Sequence, residues 1–287
     1  MELDCPSFMI ETERPIPSSN SGLEGRVITI NGNIPRSRKE LRKMASCPLW
    51  ELPFHAAMVV TDLEGAVLEQ ARNFLGDHND NSEIPQGGGR PVVLETGLAG
   101  WKRTLGHMGR RFEENDWRVY YAKFPHLLNW ELMDMRGESL LEVTRQANEE
   151  TGEEAYWGLW SIGAAEGLVE CELHPEEVKK RVRHITAWGP PLGKLNPVIV
   201  RVYSGTQFLN RLVFGRDDTD FFAQFGDHLE IRIPEGVGYT QIDIKNEGII
   251  QSRNGSYQGT RFVGGTHTGM GYREQVFRET AESFANG

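Results

Sequence analysis

Between residues 197 and 271, glycine, Asn-Gly and Asp-rich turn signals cut the chain into strand-length apolar runs roughly every ten residues. That cadence constrains the fold more than any other feature. The runs fall at 198–203, 208–214, 221–225, 229–233, 239–244, 249–250 and 260–263, bounded by Gly205, Gly215, Gly226, Gly236, Gly248 and Gly255. Within 229–233, Leu229, Ile231 and Ile233 alternate with Glu230 and Arg232, so one strand face is buried and the other is wet. Asn254-Gly255 is a type I′ hairpin signal. Together these predict a C-terminal antiparallel β-sandwich or barrel, closed by an amphipathic helix over 272–284 that buries Val276, Phe277 and Phe284.

The preceding chain reads differently. Residues 1–50 carry Pro6, Pro15, Pro17, Pro35 and Pro48, a polar run at 18–22, one strand candidate at 26–30 and a short helix at 37–45. That segment lacks the apolar density for its own core and is expected to be an extended arm. Residues 55–60 and 66–70 predict a hairpin about the turn Asp62-Leu-Glu-Gly65, followed by a polar loop at 76–89. A strand is expected at 117–122 and a helix over 138–150, with Gly152 as its C-cap. A second helical stretch at 153–171 gathers Tyr156, Trp157, Leu159 and Trp160, and a third at 174–185 starts with Pro175. Trp188-Gly-Pro-Pro191 reads as a boundary. The expectation is an α+β chain with an arm (1–50), a mixed α/β middle region (51–190) and the antiparallel β-rich end (191–287).

Composition narrows the function classes. A formal net charge of −10 disfavours a broad nucleic-acid or anionic-membrane surface, and the short basic cluster Arg36, Arg38, Lys39, Arg42 and Lys43 reads as a solvated helix face. No apolar run approaches the ~18 residues that span a bilayer, and the first residues have no secretory pattern, so a soluble, cytoplasmic or virion location is expected. Cys5, Cys47 and Cys171 lack metal-ligand spacing and read as ordinary thiols.

The chemistry-bearing motifs are partial. Gly137-Glu-Ser139 followed by Arg145-Gln-Ala-Asn-Glu-Glu-Thr-Gly152 is similar to the signature of the Nudix pyrophosphohydrolases. That resemblance implies Glu149 and Glu150 as ligands for Mg²⁺ beside a diphosphate. The stretch departs from the signature at Gln146 and Glu153 and lacks the paired glycines ahead of it. His78-Asn79-Asp80 has the His-x-Asp order of an iron facial triad, with His228 or His267 as the distal ligand, the pattern of an oxygenase. The glycine-rich stretches at 87–89 and 264–271 fit no nucleotide-binding fingerprint, and no Gly-x-Ser-x-Gly elbow is present.

Tyr156, Trp157 and Trp160 suit a packed core and a protein interface equally. With no complete site, no cofactor is expected outside the Mg²⁺ of the hydrolase alternative. The arm and the β-rich end favour a non-enzymatic subunit that self-assembles into a homo-oligomer or joins a larger assembly such as a virion. The Nudix-like phosphohydrolase and the iron oxygenase stand as its alternatives.

Overall fold

The computed structural model describes residues 26–29, 51–75, 84–97, 102–122, 133–191, 197, 230–244 and 260–287. Its centre is a six-stranded sheet in which every neighbouring pair runs parallel, ordered β3-β2-β4-β5-β7-β8. The strands are β2 (Pro91–Glu95), β3 (Arg118–Tyr121), β4 (Ala155–Trp160), β5 (Val182–Trp188), β7 (Gly238–Ile244) and β8 (Arg261–Val263). β1 (Arg26–Thr29) pairs antiparallel with β6 (Glu230–Ile233) as a separate two-stranded sheet. The helices are α1 (Leu52–Leu75), α2 (Gly106–Glu114), α3 (Met133–Thr151), α4 (Ile162–Leu173), α5 (Pro175–Arg181) and α6 (Glu274–Asn286).

The period-two alternation of each strand sends side chains into two cores. Val93, Trp157, Leu159, Ile185 and Ala187 enter the core shared with α3, α4 and α5. Val92, Leu94, Tyr156, Trp160, Trp188, Ile242 and Ile244 enter the other, closed by Met108 and Phe112 of α2 and Val276, Phe277 and Phe284 of α6. A parallel sheet buried on both faces needs helices on both faces, and the chain supplies them.

This architecture overturns the expected C-terminal antiparallel sandwich or barrel. The strands expected near 229–233, 239–244 and 260–263 exist as β6, β7 and β8, but β7 and β8 lie parallel to each other and to β5. Strand direction is set by the connection: residues 245–260 between β7 and β8 are too long for a hairpin and long enough for a crossover. The sheet draws strands from both sides of residue 190.

Two local expectations fail as well. The hairpin expected around Asp62-Leu-Glu-Gly65 is the continuous helix α1; one interior glycine costs only about 1 kcal/mol and does not by itself end a helix. The first part of the helical stretch expected at 153–171 is strand β4, fully buried along its length, where periodicity cannot separate strand from helix. The helix expected at 174–185 ends at Arg181, and its remainder is β5. By contrast, α3, its Gly152 terminus (φ 74°), strand β3 and helix α6 follow the expected pattern. The expectations at 37–45, 76–83, 198–203, 208–214, 221–225 and 249–255 lie outside the described residues.

Candidate active site

The strand order reverses between β2 and β4: from β2 the chain adds β3 on one side, then returns to add β4 on the other. Ligands of open α/β sheets bind beyond the carboxyl ends of the strands at such a switch point. The residues there are Thr96 and Gly97 after β2 and Ser161 after β4.

Ser161 is the one-residue turn between β4 and α4. It holds φ 55° and ψ −117°, a conformation that a side chain adopts only under strain. Its N–H donates to the carbonyl of Trp188 at the end of β5 (2.8 Å), and its carbonyl receives the N–H groups of Ala164 and Ala165 as α4 begins. The turn is tight because its neighbours lack side chains. A Cβ on Gly97 would lie 2.9 Å from Ser161 Cβ, and one on Gly163 would lie 2.8 Å from the Thr96 carbonyl oxygen. Strand, strained serine, helix, with glycine two residues on, is the construction of a nucleophile elbow.

The partner arrives from far along the chain. After β8, the loop 264–269 places His267 so that its Nε2 is 2.9 Å from Ser161 Oγ, across 106 residues. His267 is 3 % exposed. Its carbonyl accepts the indole N–H of Trp160 (3.2 Å), and its N–H donates to Asp62 of α1 (2.8 Å). A hydroxyl within hydrogen-bond reach of an imidazole is the minimal unit of a base-activated nucleophile. The first turn of α4 starts at Ile162, so the positive end of a helix dipole lies next to Ser161 Oγ, where an oxyanion would form.

The residues singled out from sequence sit elsewhere. Glu149 and Glu150 are exposed on the last turn of α3. Glu150 accepts hydrogen bonds from Gln146 and Tyr120, which hold its carboxyl below the ordinary range. No cluster of three or more His, Cys, Asp or Glu side chains able to hold a metal occurs among the described residues. His78 and Asp80, and His228 with them, lie outside those residues. Tyr156, Trp157 and Trp160 are buried in the chain's own cores, Trp160 against the His267 backbone. Ser161 and Gly97 carry no mark in the sequence, and Asp62 reads there only as the first residue of a turn. The legible traces were Ser161-Ile-Gly163 after an apolar run and a histidine inside a glycine-rich loop.

No family model matches the chain, and no curated protein matches it. Solved structures do resemble it. A Bacillus licheniformis lipase is 14 % identical, with 69 % of this chain and 91 % of that chain covered and a TM-score of 0.47. Polyneuridine aldehyde esterase is 12 % identical, with 69 % and 99 % covered and a TM-score of 0.49. An α/β hydrolase enzyme from a sediment metagenome of the Mar Chica lagoon is 17 % identical, with 70 % and 93 % covered and a TM-score of 0.49. The parallel sheet and the Ser161–His267 pair correct the expected function. The self-assembling virion subunit, the Nudix-like phosphohydrolase and the iron oxygenase all give way.

Proposed function

We propose that this protein is a serine hydrolase acting on carboxylic ester or thioester substrates. The observation that carries the reading is the 2.9 Å contact between His267 Nε2 and Ser161 Oγ on a strained strand-to-helix turn at the switch point of a parallel sheet. In this reading Ser161 Oγ attacks the acyl carbon while His267 Nε2 accepts its proton. The carbonyl oxygen becomes an oxyanion facing the start of α4 and the backbone beyond β2. His267 then hands the proton to the departing alcohol or thiol, leaving an acyl-serine. Water, deprotonated by the same nitrogen, releases the acid and restores the pair.

A carboxylate that orients the imidazole belongs, by the chain order of such triads, between Ser161 and His267. Asp243 of β7, whose Oδ2 accepts from Gln241 (2.9 Å), is one acid in that interval. The reading needs no cofactor, and the pair requires no metal.

The test is covalent. A fluorophosphonate probe should attach to Ser161 of the folded protein, located by peptide mass, and S161A should abolish both labelling and 4-nitrophenyl ester turnover. H267A should cut turnover by about 10³-fold or more, the usual scale for losing the base. Ester turnover that survives S161A undiminished would sink the reading.

A further inference from the structure

Asp62 stands out because it is 2 % exposed on α1, a helix that belongs to neither layer packed on the strands. Its carboxylate reaches across more than two hundred residues to the catalytic loop. Oδ2 accepts the His267 N–H (2.8 Å); Oδ1 accepts the Thr268 N–H (2.9 Å) and the Thr268 hydroxyl (2.6 Å). The same hydroxyl lies 2.9 Å from the Asp62 backbone carbonyl. The two oxygens of one side chain thus take two successive backbone N–H groups and a side-chain hydroxyl.

The loop needs such a grip. It leaves β8 through Gly264 and Gly265, the latter at φ 113°, and returns through Gly269 and Gly271. Its own restraints are short-range: Gly269 N–H to Thr266 and Met270 N–H to the His267 carbonyl. Beyond Asp62, His267 is held by the Trp160 indole at its carbonyl and by Gly189, where a Cβ would come within 2.9 Å of imidazole Nδ1 and Cε1. Those contacts bound the ring's position from the sheet side. Asp62 takes both successive backbone N–H groups, those of His267 and Thr268, from outside the loop.

We propose that Asp62 is a positioning residue. By clamping the His267 and Thr268 amides it holds the imidazole in register with Ser161 Oγ, so that α1 becomes part of the catalytic apparatus without touching substrate. This rests on the Ser161–His267 pair being catalytic. A displacement of about 1 Å at a reacting group costs about 10²-fold in rate, and the clamp acts at that scale.

The experiment compares the full-length wild type with D62A, D62N and T268V, using fluorophosphonate labelling to count active sites and 4-nitrophenyl acetate to measure turnover per labelled site. D62A should lose about 10²-fold in kcat per labelled site with KM within about threefold. D62N keeps one carbonyl oxygen for Thr268 but turns an NH2 toward the His267 N–H, so its loss should be intermediate, about tenfold. T268V keeps both amide bonds and gives up only those of the hydroxyl, so its loss should be smaller than that of D62A. Wild-type turnover per labelled site in D62A and D62N would overturn the clamp, as would a loss fully explained by fewer labelled sites. If D62A does not fold, D62N alone decides between these results. A wild type that never labels at Ser161 would instead remove the catalytic pair on which the clamp depends, an outcome seen before any Asp62 variant is measured.

Discussion

At the scale of single residues, the elbow was hard to read because its small residue before the serine is displaced. The usual motif has glycine two positions before the nucleophile, and this chain has Leu159 there. Leu159 is fully buried against α4, and α4 makes room with Gly167, where an added Cβ would lie 2.2 Å from Leu159 Cδ1. The space that the motif normally saves on the strand is saved on the helix. G167A should therefore overpack this contact and destabilise by about 1–3 kcal/mol in urea unfolding, while L159A/G167A should cost clearly less than the sum of the two single changes. Additive effects would show that the two sites are independent. His267 reads in the sequence as a histidine among glycines and as a possible distal iron ligand, not as the base of Ser161, because that partner is 106 residues away and no local pattern encodes the distance.

At the scale of elements, a strand with a wet face was legible and the fully buried strand β4 was not. β6 alternates Ile231 and Ile233, both fully buried, with exposed Arg232, as its sequence suggests. β4 has no exposed position to set its period. Helix α1 resisted reading for the opposite reason: Phe54, Val60, Leu63, Val67 and Leu68 are exposed while Asp62 is buried, an inverted amphipathic pattern fixed by the His267 loop. The tie between α3 and α5 gives a prediction at this scale. Arg145 and Arg181 both engage Glu177, and the hydrogen bond from Arg145 leads in holding the Glu177 carboxyl below its ordinary value. A depressed carboxylate stabilises the fold above its unfolded value of about 4.3, and that contribution is lost as pH falls through the lower, folded value. E177Q should thus lower stability at pH 7 by about 0.5–1 kcal/mol, a modest amount because the pair is partly exposed. The gap from wild type should close below about pH 4; a gap that is unchanged in acid would show that charge is not its cause.

For the whole molecule, strand content near 239–263 could be seen in the sequence, but strand direction could not. Alternation and turn residues mark where a strand begins and ends, whereas parallel pairing is decided by what lies between strands, and there the signals of hairpin and crossover overlap. The site was invisible for the same reason, since a switch point exists only once strand order is known. Helix α6 shows how far the closure reaches. Val276, Phe277 and Phe284 are fully buried on the sheet, and the Thr280 hydroxyl accepts the Trp188 indole N–H (2.9 Å). At about 1.5–3 kcal/mol for each of these three apolar side chains, α6 contributes an amount comparable to the whole stability of a typical domain. Deleting residues 274–287 should leave no cooperative thermal transition and a protein that elutes as aggregate; a folded, monomeric fragment would contradict that accounting.

The same helix bears on how the protein is made. A ribosome delivers the Ser161 elbow and the face carrying Phe112, Trp160 and Trp188 well before it delivers β8, His267 and α6. During that interval the nascent chain carries a bare aromatic surface and a nucleophile without its base. Premature termination or a translational stall in the last third would therefore produce a substrate for chaperones and proteases, not a weakened enzyme.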